Sequence, residues 1–135
     1  MNKLICAMIA IAFASATPLS AAETVVIVSQ RSPLTRMFPL QAAQFFLGQS
    51  ALFTAIDQAD NSPIRAEFYL KAADMDAGQV KAIWAKLVFT GKARPPKQYA
   101  SSAEVKRAVA ADPKAIGYIE KSDVDDTVKV ILTLH

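Results

Sequence analysis

The sequence predicts an α/β fold of three layers, in which helices cover both faces of one mixed β-sheet. The first observation is the β-branched run at 24–29, which is apolar on both faces, as expected of a strand covered on both sides. The second is that strand-like and helix-like segments alternate along the chain. The third is size, because residues 23–135 suffice for one small domain but not for two.

Residues 1–22 have the composition of a secretory signal peptide. Lys3 gives a positive start, Leu4–Ala16 form an apolar run, and Ser20–Ala22 offer small residues for cleavage. The apolar run is shorter than the roughly 20 residues that a membrane-spanning helix needs. We therefore expect export, cleavage after Ala22, and a periplasmic or secreted protein with a single domain over residues 23–135.

The first half of this domain is predicted to form strand, helix, strand and helix. After the strand at 24–29, a helix is predicted over 39–47, because apolar residues recur at helical spacing and Gly48 can end it. A short strand follows at 53–56. The next helix runs from Pro63 to about Ala73, with Ser62 as its N-cap.

A further helix begins after Asp76. The segment 76–79 has the form of a capping box, in which Asp76 caps the helix and Gln79 bonds back to it. Apolar residues at helical spacing follow, and Gly91 ends the helix. Trp84 lies on that apolar stripe, so we expect it to anchor the core.

The last third of the chain is predicted to contain a basic loop, one helix and two strands. Consecutive prolines make the loop at 92–97 stiff. A capping box at Ser101–Glu104 opens the helix, and strands follow at 115–119 and 128–132. The predicted order is β-α-β-α-α-α-β-β, which implies a mixed sheet with room for one antiparallel edge strand.

The loop and first helical turn at Asp60–Arg65 form the strongest candidate binding site. The amide groups at the start of a helix, together with the helix dipole, favour an anion such as phosphate. Arg65 lies in the same turn and can add a bidentate contact to an oxyanion. On residue types alone a second interpretation stands beside this one, in which Ser62 only caps the helix and Arg65 is an ordinary surface residue.

Positive charge is concentrated in the second half of the chain. The formal net charge is +3 at pH 7, and seven basic residues lie in a window whose only acid is Glu104. Such a patch attracts anionic lipid, small anions or nucleic acid, and export argues against nucleic acid. A solubilising face explains it equally well. The basic residues are Lys81, Lys86, Lys92, Arg94, Lys97, Lys106 and Arg107.

Catalysis is the least favoured class of function. The only histidine is the last residue, His135, and the only cysteine, Cys6, lies in the predicted signal peptide. A thiol nucleophile or a histidine- or cysteine-based zinc site is therefore not expected in the domain. The acidic segment at 123–126 is better explained as a turn than as a calcium loop. We expect no enzyme activity, no cofactor and no metal.

Three segments resemble the PstS-type phosphate-binding proteins of ABC transporters. Phe45–Gly48 is similar to their "IFLG" segment, and Ala115–Ile119 matches their "AIGY" strand. Asp60–Arg65 stands where that family has its "DGSGT" phosphate loop.

The similarity is greater to short, exported, single-lobe relatives of that family. Their pattern "SPLRxxFY…W…VF(T/S)G…RPP" reappears in order over nearly all of residues 23–135. The matching segments are Ser62–Arg65, Phe68–Tyr69, Trp84, Val88–Gly91 and Arg94–Pro96.

The resemblance implies one lobe of a type 2 periplasmic-binding-protein-like fold. Within the phosphate loop, Ser62 carries over as a binding residue, while Asn61 replaces a glycine and Ile64 replaces the threonine. Gln58 appears where the family's phosphate-binding arginine is expected. The candidate oxyanion-binding residues are Asn61, Ser62, Ile64, Arg65 and Arg94.

Two functions are compatible with such a lobe. The first is an exported solute-binding-like domain that holds phosphate or a similar oxyanion weakly, because a half-site open to water competes with hydration. The second is a module without a ligand, whose open face docks an envelope or membrane protein or pairs two copies as a homodimer.

Overall fold

The computed structural model describes residues 23–135. The predicted signal peptide, with Cys6 and the expected cleavage after Ala22, lies outside the described residues. The described residues begin with Glu23, the first residue of the predicted domain. The strands are β1 (Thr24–Ser29), β2 (Thr54–Gln58), β3 (Lys97–Tyr99), β4 (Ala115–Glu120) and β5 (Val128–Leu134). The helices are α1 (Pro39–Phe46), α2 (Pro63–Ala73), α3 (Ala77–Phe89) and α4 (Ser102–Ala111), with a 3₁₀ turn at Lys121–Asp123.

The five strands form one mixed sheet in the order β3-β2-β4-β1-β5. Strand β2 pairs in parallel with β3 and β4, whereas β1 pairs antiparallel with β4 and β5. Among the described strands, β1 runs opposite to the other four and lies inside the sheet, and the edge strand β5 pairs antiparallel with it, as the predicted order allowed. Every residue of β1 is buried, which fits a central strand and not an edge.

Helices cover both faces of the sheet, as predicted. Helices α1, α2 and α3 pack on one face, where buried residues include Phe46, Phe68 and Trp84. Helix α4 packs on the other face through Val105 and Val109. Alternate residues of each strand are buried in the hydrophobic cores on the two faces of the sheet, because successive side chains of a strand point to opposite faces.

The helix ends agree with the capping patterns in all but two details, one of which is that the Glu104 carboxylate accepts from the Ala100 N–H at 2.9 Å and not from the Ser101 N–H. The Asp76 carboxylate accepts from the Gln79 N–H at 2.9 Å, and the Ser101 hydroxyl accepts from the Glu104 N–H at 3.2 Å. Ser62 is the N-cap of α2, but its side chain makes no capping hydrogen bond. The Ser62 carbonyl instead accepts from the Arg65 N–H at 3.1 Å, which occupies the donor that the hydroxyl would have bound.

Strand β3 is absent from the predicted order. It has only three residues, all polar or aromatic, directly after Pro95–Pro96. Its pairing with β2 turns the end of the predicted basic loop into an edge strand. This pairing matters for function, because it brings Gln98 beside Asp57.

Within residues 23–135 we find no helix that combines the length and the apolar character needed to cross a membrane.

Candidate functional site

A cleft of about 730 Å³ opens where the parallel strands β2 and β3 end, between helices α2 and α3. Ligands of α/β proteins typically sit at the carboxyl ends of parallel strands. The polar residues that line the cleft are Asp57, Asp60, Arg65, Lys81 and Gln98. The apolar residues that line it are Ala77, Trp84, Ala85, Val88, Phe89, Pro95 and Pro96.

Asp57 lies at the base of the cleft and is almost completely buried, with 1% of its surface exposed. One carboxylate oxygen accepts a hydrogen bond from the Tyr69 hydroxyl at 2.6 Å. The other accepts from the Gln58 N–H at 2.8 Å and from the Tyr118 hydroxyl. Three donors on three different elements therefore satisfy this buried acid, as a buried carboxylate requires.

These groups meet because successive side chains of a strand point to opposite faces of the sheet. Ala55 and Asp57 both face α1–α3, and so does Tyr118 on the neighbouring strand β4. Gln58 faces the other way, where its amide donates to the Ser102 hydroxyl and to the Tyr118 carbonyl, both at 3.1 Å. Gln58, the residue at the expected arginine position, therefore bonds to the first residue of α4.

Arg65 joins this network from the first turn of α2. Its Nε lies 3.6 Å from Asp57 Oδ2, and one terminal nitrogen lies 3.6 Å from Asp60 Oδ1. The guanidinium also lies over the Tyr69 ring, 5.0 Å from the centroid, because the two residues are one helical turn apart. Only 11% of the Arg65 side chain is exposed.

The guanidinium of Arg65 makes no hydrogen bond to any residue within 23–135. Distances of 3.6 Å are ion-pair distances and too long for hydrogen bonds. Among residues 23–135, Nε is buried without a hydrogen-bond partner. The guanidinium is thus held in place by charge, and its terminal N–H groups remain available to an acceptor that enters the cleft.

Burial and the Asp57 carboxylate set the protonation of the surrounding groups. Burial first, and then Asp57, raise the pKa of both Tyr69 and Tyr118 above the ordinary tyrosine value. Both hydroxyls therefore keep the protons that they donate to Asp57. For Arg65, burial alone lowers the pKa, but attraction to Asp57 and the other neighbours outweighs it and raises the pKa.

Two polar residues of the cleft, Asp60 and Lys81, are much more exposed than Asp57 and Arg65. Asp60 is exposed, with 79% of its side chain accessible, and accepts from the Gln98 amide at 2.8 Å. Lys81 is exposed and forms no ion pair with any described residue. The cleft thus combines a nearly buried cation with an exposed acid and an exposed base.

Of the predicted site residues, Arg65 lies in the cleft. Asn61, Ser62 and Ile64 do not line it, and Ile64 is buried in the core instead. Arg94 is exposed beside a separate shallow depression with Lys92 and Pro95.

Sequence reasoning missed Asp57, Tyr69, Tyr118, Lys81 and Gln98 as members of the cleft or its support. One signal was present: Asp57 is an acidic residue that shares the core-facing side of its strand with Ala55. Buried acids need partners, so that position alone predicts a polar network. Tyr69 and Tyr118 lie in two segments that resemble the family, Phe68–Tyr69 and Ala115–Ile119. The resemblance assigns neither tyrosine a role in the site.

The cleft lacks the groups of a metal centre. Residues 23–135 contain no cluster of three or more histidine, cysteine, aspartate or glutamate side chains that could hold a metal ion. The cleft offers a guanidinium group that can bind an anion, next to apolar lining residues.

Comparison with known proteins agrees with the predicted fold. No family model matches the chain, and no curated protein matches it. A structure from Clostridium perfringens, described as a phosphate ABC transporter substrate-binding protein with bound phosphate, matches with a TM-score of 0.67 at 18% identity. An ABC-type phosphate transport receptor from Vibrio cholerae matches with a TM-score of 0.64, also at 18% identity.

Each match covers 82% of this chain but only 44% or 45% of the other chain. The protein therefore spans less than half the length of either neighbour. At this identity the likeness concerns the fold, and it confirms the predicted resemblance to one lobe of this kind of protein.

Proposed function

We propose that this protein is an exported solute-binding-like domain whose cleft holds phosphate or a similar small oxyanion, with Arg65 as its principal ligand. The proposal places one domain at residues 23–135, in the periplasm or outside the cell, and gives it a binding role without catalysis. It also leaves open a link to an ABC permease.

The observation that carries the proposal is the state of Arg65. Its side chain is nearly buried and is fixed beside Asp57, yet its donors make no hydrogen bond to described residues. Buried donors are nearly always satisfied, so an oxygen-rich ligand is the natural partner for this guanidinium. The shared fold supports the proposal, since the neighbour from Clostridium perfringens was solved with phosphate.

The same geometry argues for weak binding. Asp60 lies 3.6 Å from a terminal nitrogen of Arg65 and opposes an incoming anion. Its high exposure lets the side chain move away, and Lys81, which also lines the cleft, offsets part of the repulsion. Ser62, Asn61 and Ile64 contribute at most through the dipole of α2, and Arg94 contributes at long range.

The test is calorimetric titration of the protein with inorganic phosphate at low ionic strength. We expect a dissociation constant of about 1 mM for the wild type and at least about tenfold weaker binding for Arg65→Ala. The matched control Arg107→Ala removes an exposed arginine outside the cleft and leaves the affinity unchanged. Arg94→Ala tests the predicted site residue that lies in the separate depression.

Urea unfolding of each variant shows whether it remains folded. Wild-type protein that releases no heat with phosphate, and that also shows no phosphate effect on its thermal midpoint, contradicts the proposal. Equal losses in Arg65→Ala and Arg107→Ala contradict the assignment to Arg65.

A second candidate function, docking of an envelope protein or of a second copy, is favoured by one observation. Phe89 is 92% exposed at the end of α3, beside Val88, which is 53% exposed. The outer edge of β5 is a poorer interface, because the Met37 N–H donates to the Ile131 carbonyl and the Lys129 ammonium bonds the Ser32 carbonyl. Sedimentation velocity tests self-association, which Phe89→Ser should abolish.

A further inference from the structure

We infer that the ligand is an organic oxyanion, such as a phosphate monoester with a flat apolar body, and not a bare inorganic ion. Its anionic head lies at Arg65 and its apolar body lies against the wall formed by Trp84, Val88, Phe89, Pro95 and Pro96. This inference rests on the proposed function, because it assigns the rest of the ligand whose head Arg65 holds.

The size of the cleft is the first argument. Its volume of about 730 Å³ falls within the roughly 300–1,000 Å³ of pockets that hold drug-sized ligands. Phosphate consists of one phosphorus atom and four oxygens, and it fills only the end of such a space. Most of the other lining residues are apolar, and apolar surfaces bind apolar groups.

The chemistry of the wall is the second argument. The Trp84 indole N–H donates to the Phe46 carbonyl at 3.0 Å, so its one polar atom is already used inside the core. Trp84 therefore presents only its apolar ring to the cleft. Phe89 is 92% exposed and Val88 is half-exposed at the same wall. An exposed aromatic residue beside a concave apolar surface is typical of a binding groove.

The rigidity of the wall is the third argument. Pro95 and Pro96 have fixed φ angles and lead directly into β3, which is paired with β2. On the opposite side, α3 begins with a two-way cap between Asp76 and Gln79. Both sides are held before any ligand arrives, which lowers the entropic cost of binding.

The arrangement also has a defined polarity. Arg65 and its supporting Asp57 come from α2 and β2, whereas the apolar lining residues come from α3 and from Pro95–Pro96 before β3. A ligand that is charged at one end and apolar at the other fits both, whereas an inorganic ion uses only the first. Aromatic and aliphatic esters of phosphate have this polarity.

The experiment compares three probes, namely inorganic phosphate, phenyl phosphate and phenol, by calorimetric titration at one low ionic strength. For the wild type we expect phenyl phosphate to bind about tenfold more tightly than phosphate, because the ring becomes buried. Phe89→Ser should reduce the affinity for phenyl phosphate about fivefold and leave that for phosphate unchanged. Leu52→Ser, at an exposed position outside the cleft, is the matched control and should change neither.

The possible outcomes distinguish a failure of this inference from a failure of the proposed function. Equal affinities for phosphate and phenyl phosphate, both lost in Arg65→Ala, overturn the inference and leave the oxyanion site standing. Phenol binding as tightly as phenyl phosphate, without dependence on Arg65, overturns both. Self-association through Phe89 with no binding of any probe also overturns both and favours the second copy as the occupant.

Discussion

The two faces of the sheet have cores of different chemistry. On the face of α1–α3 the buried side chains include a cluster of aromatic rings, in which Phe68 stacks on Tyr118 with centroids 4.0 Å apart. On the face of α4 the buried hydrophobic residues are aliphatic, with Val105 and Val109 packed against Val25, Ile27 and Ile119.

The difference shows how a site can be built into a core. Tyrosines bring apolar rings together with hydroxyl donors, so the aromatic face can bury Asp57 without leaving it unpaired. On the aliphatic face the polar contacts lie at the two ends of α4, from the Gln58 amide to Ser102 at its start and from the Ser29 hydroxyl to the Ala110 carbonyl near its end. The α4 face stabilises the fold, whereas the α1–α3 face also positions Arg65.

The largest effect is expected from breaking the polar network on the aromatic face. Asp57→Asn removes the charge that faces Arg65 and replaces one acceptor with a donor directed at a tyrosine hydroxyl. We expect a loss of about 3 kcal/mol in the free energy of unfolding, because a buried cation is left uncompensated. Urea unfolding measures this loss.

The control for that prediction is Asp126→Asn, the same exchange in an exposed turn. It should change the free energy of unfolding by less than about 0.5 kcal/mol. If Asp57→Asn is as harmless as the control, then Asp57 is not a stabilising partner of Arg65, and the contrast between the faces fails.

A smaller effect is expected from overfilling the aliphatic face. A Cβ placed on Gly117 would lie 2.9 Å from methyl carbons of both Val105 and Val109. Gly117→Ala should therefore cost about 2 kcal/mol, since α4 must move outward. The double variant Gly117→Ala with Val109→Ala should recover part of this loss in urea unfolding, and a loss that stays the same would show that α4 does not limit the space.

The effect that is smallest for a single residue is a decline in stability at alkaline pH. The folded state raises the pKa of Tyr69 and Tyr118, through burial and through Asp57, above the unfolded value of about 10. Above that pH the unfolded chain releases protons that the folded protein keeps, so stability is complete below about pH 10 and falls as pH rises. We expect a loss on the order of 1 kcal/mol per pH unit for each tyrosine.

Urea unfolding between roughly pH 8 and pH 11 measures this decline. Tyr118→Phe should make it shallower, because only Tyr69 then contributes in this network. A wild-type stability that stays level above pH 10 would mean that these hydroxyls ionise as easily in the folded protein as in the unfolded chain.

Local patterns in the sequence determined most of the secondary structure. The β-branched run at 24–29, the capping box at 76–79 and Gly48 after α1 each act over a few residues, and each element appears where its pattern predicts. Gly48 has φ of 73°, a conformation that glycine adopts without strain. The class of fold followed from these elements.

Tertiary structure alone decided the site. Tyr69 and Tyr118 lie 12 and 61 residues from Asp57, and only the pairing of strands with the packing of α2 brings the three together. Strand β3 depends on its partner as well, because three residues have too little pattern of their own to specify a strand. Sequence periodicity reports which side of an element is buried, but the partner across the core is fixed by packing, and it is this packing that holds Arg65 in the cleft.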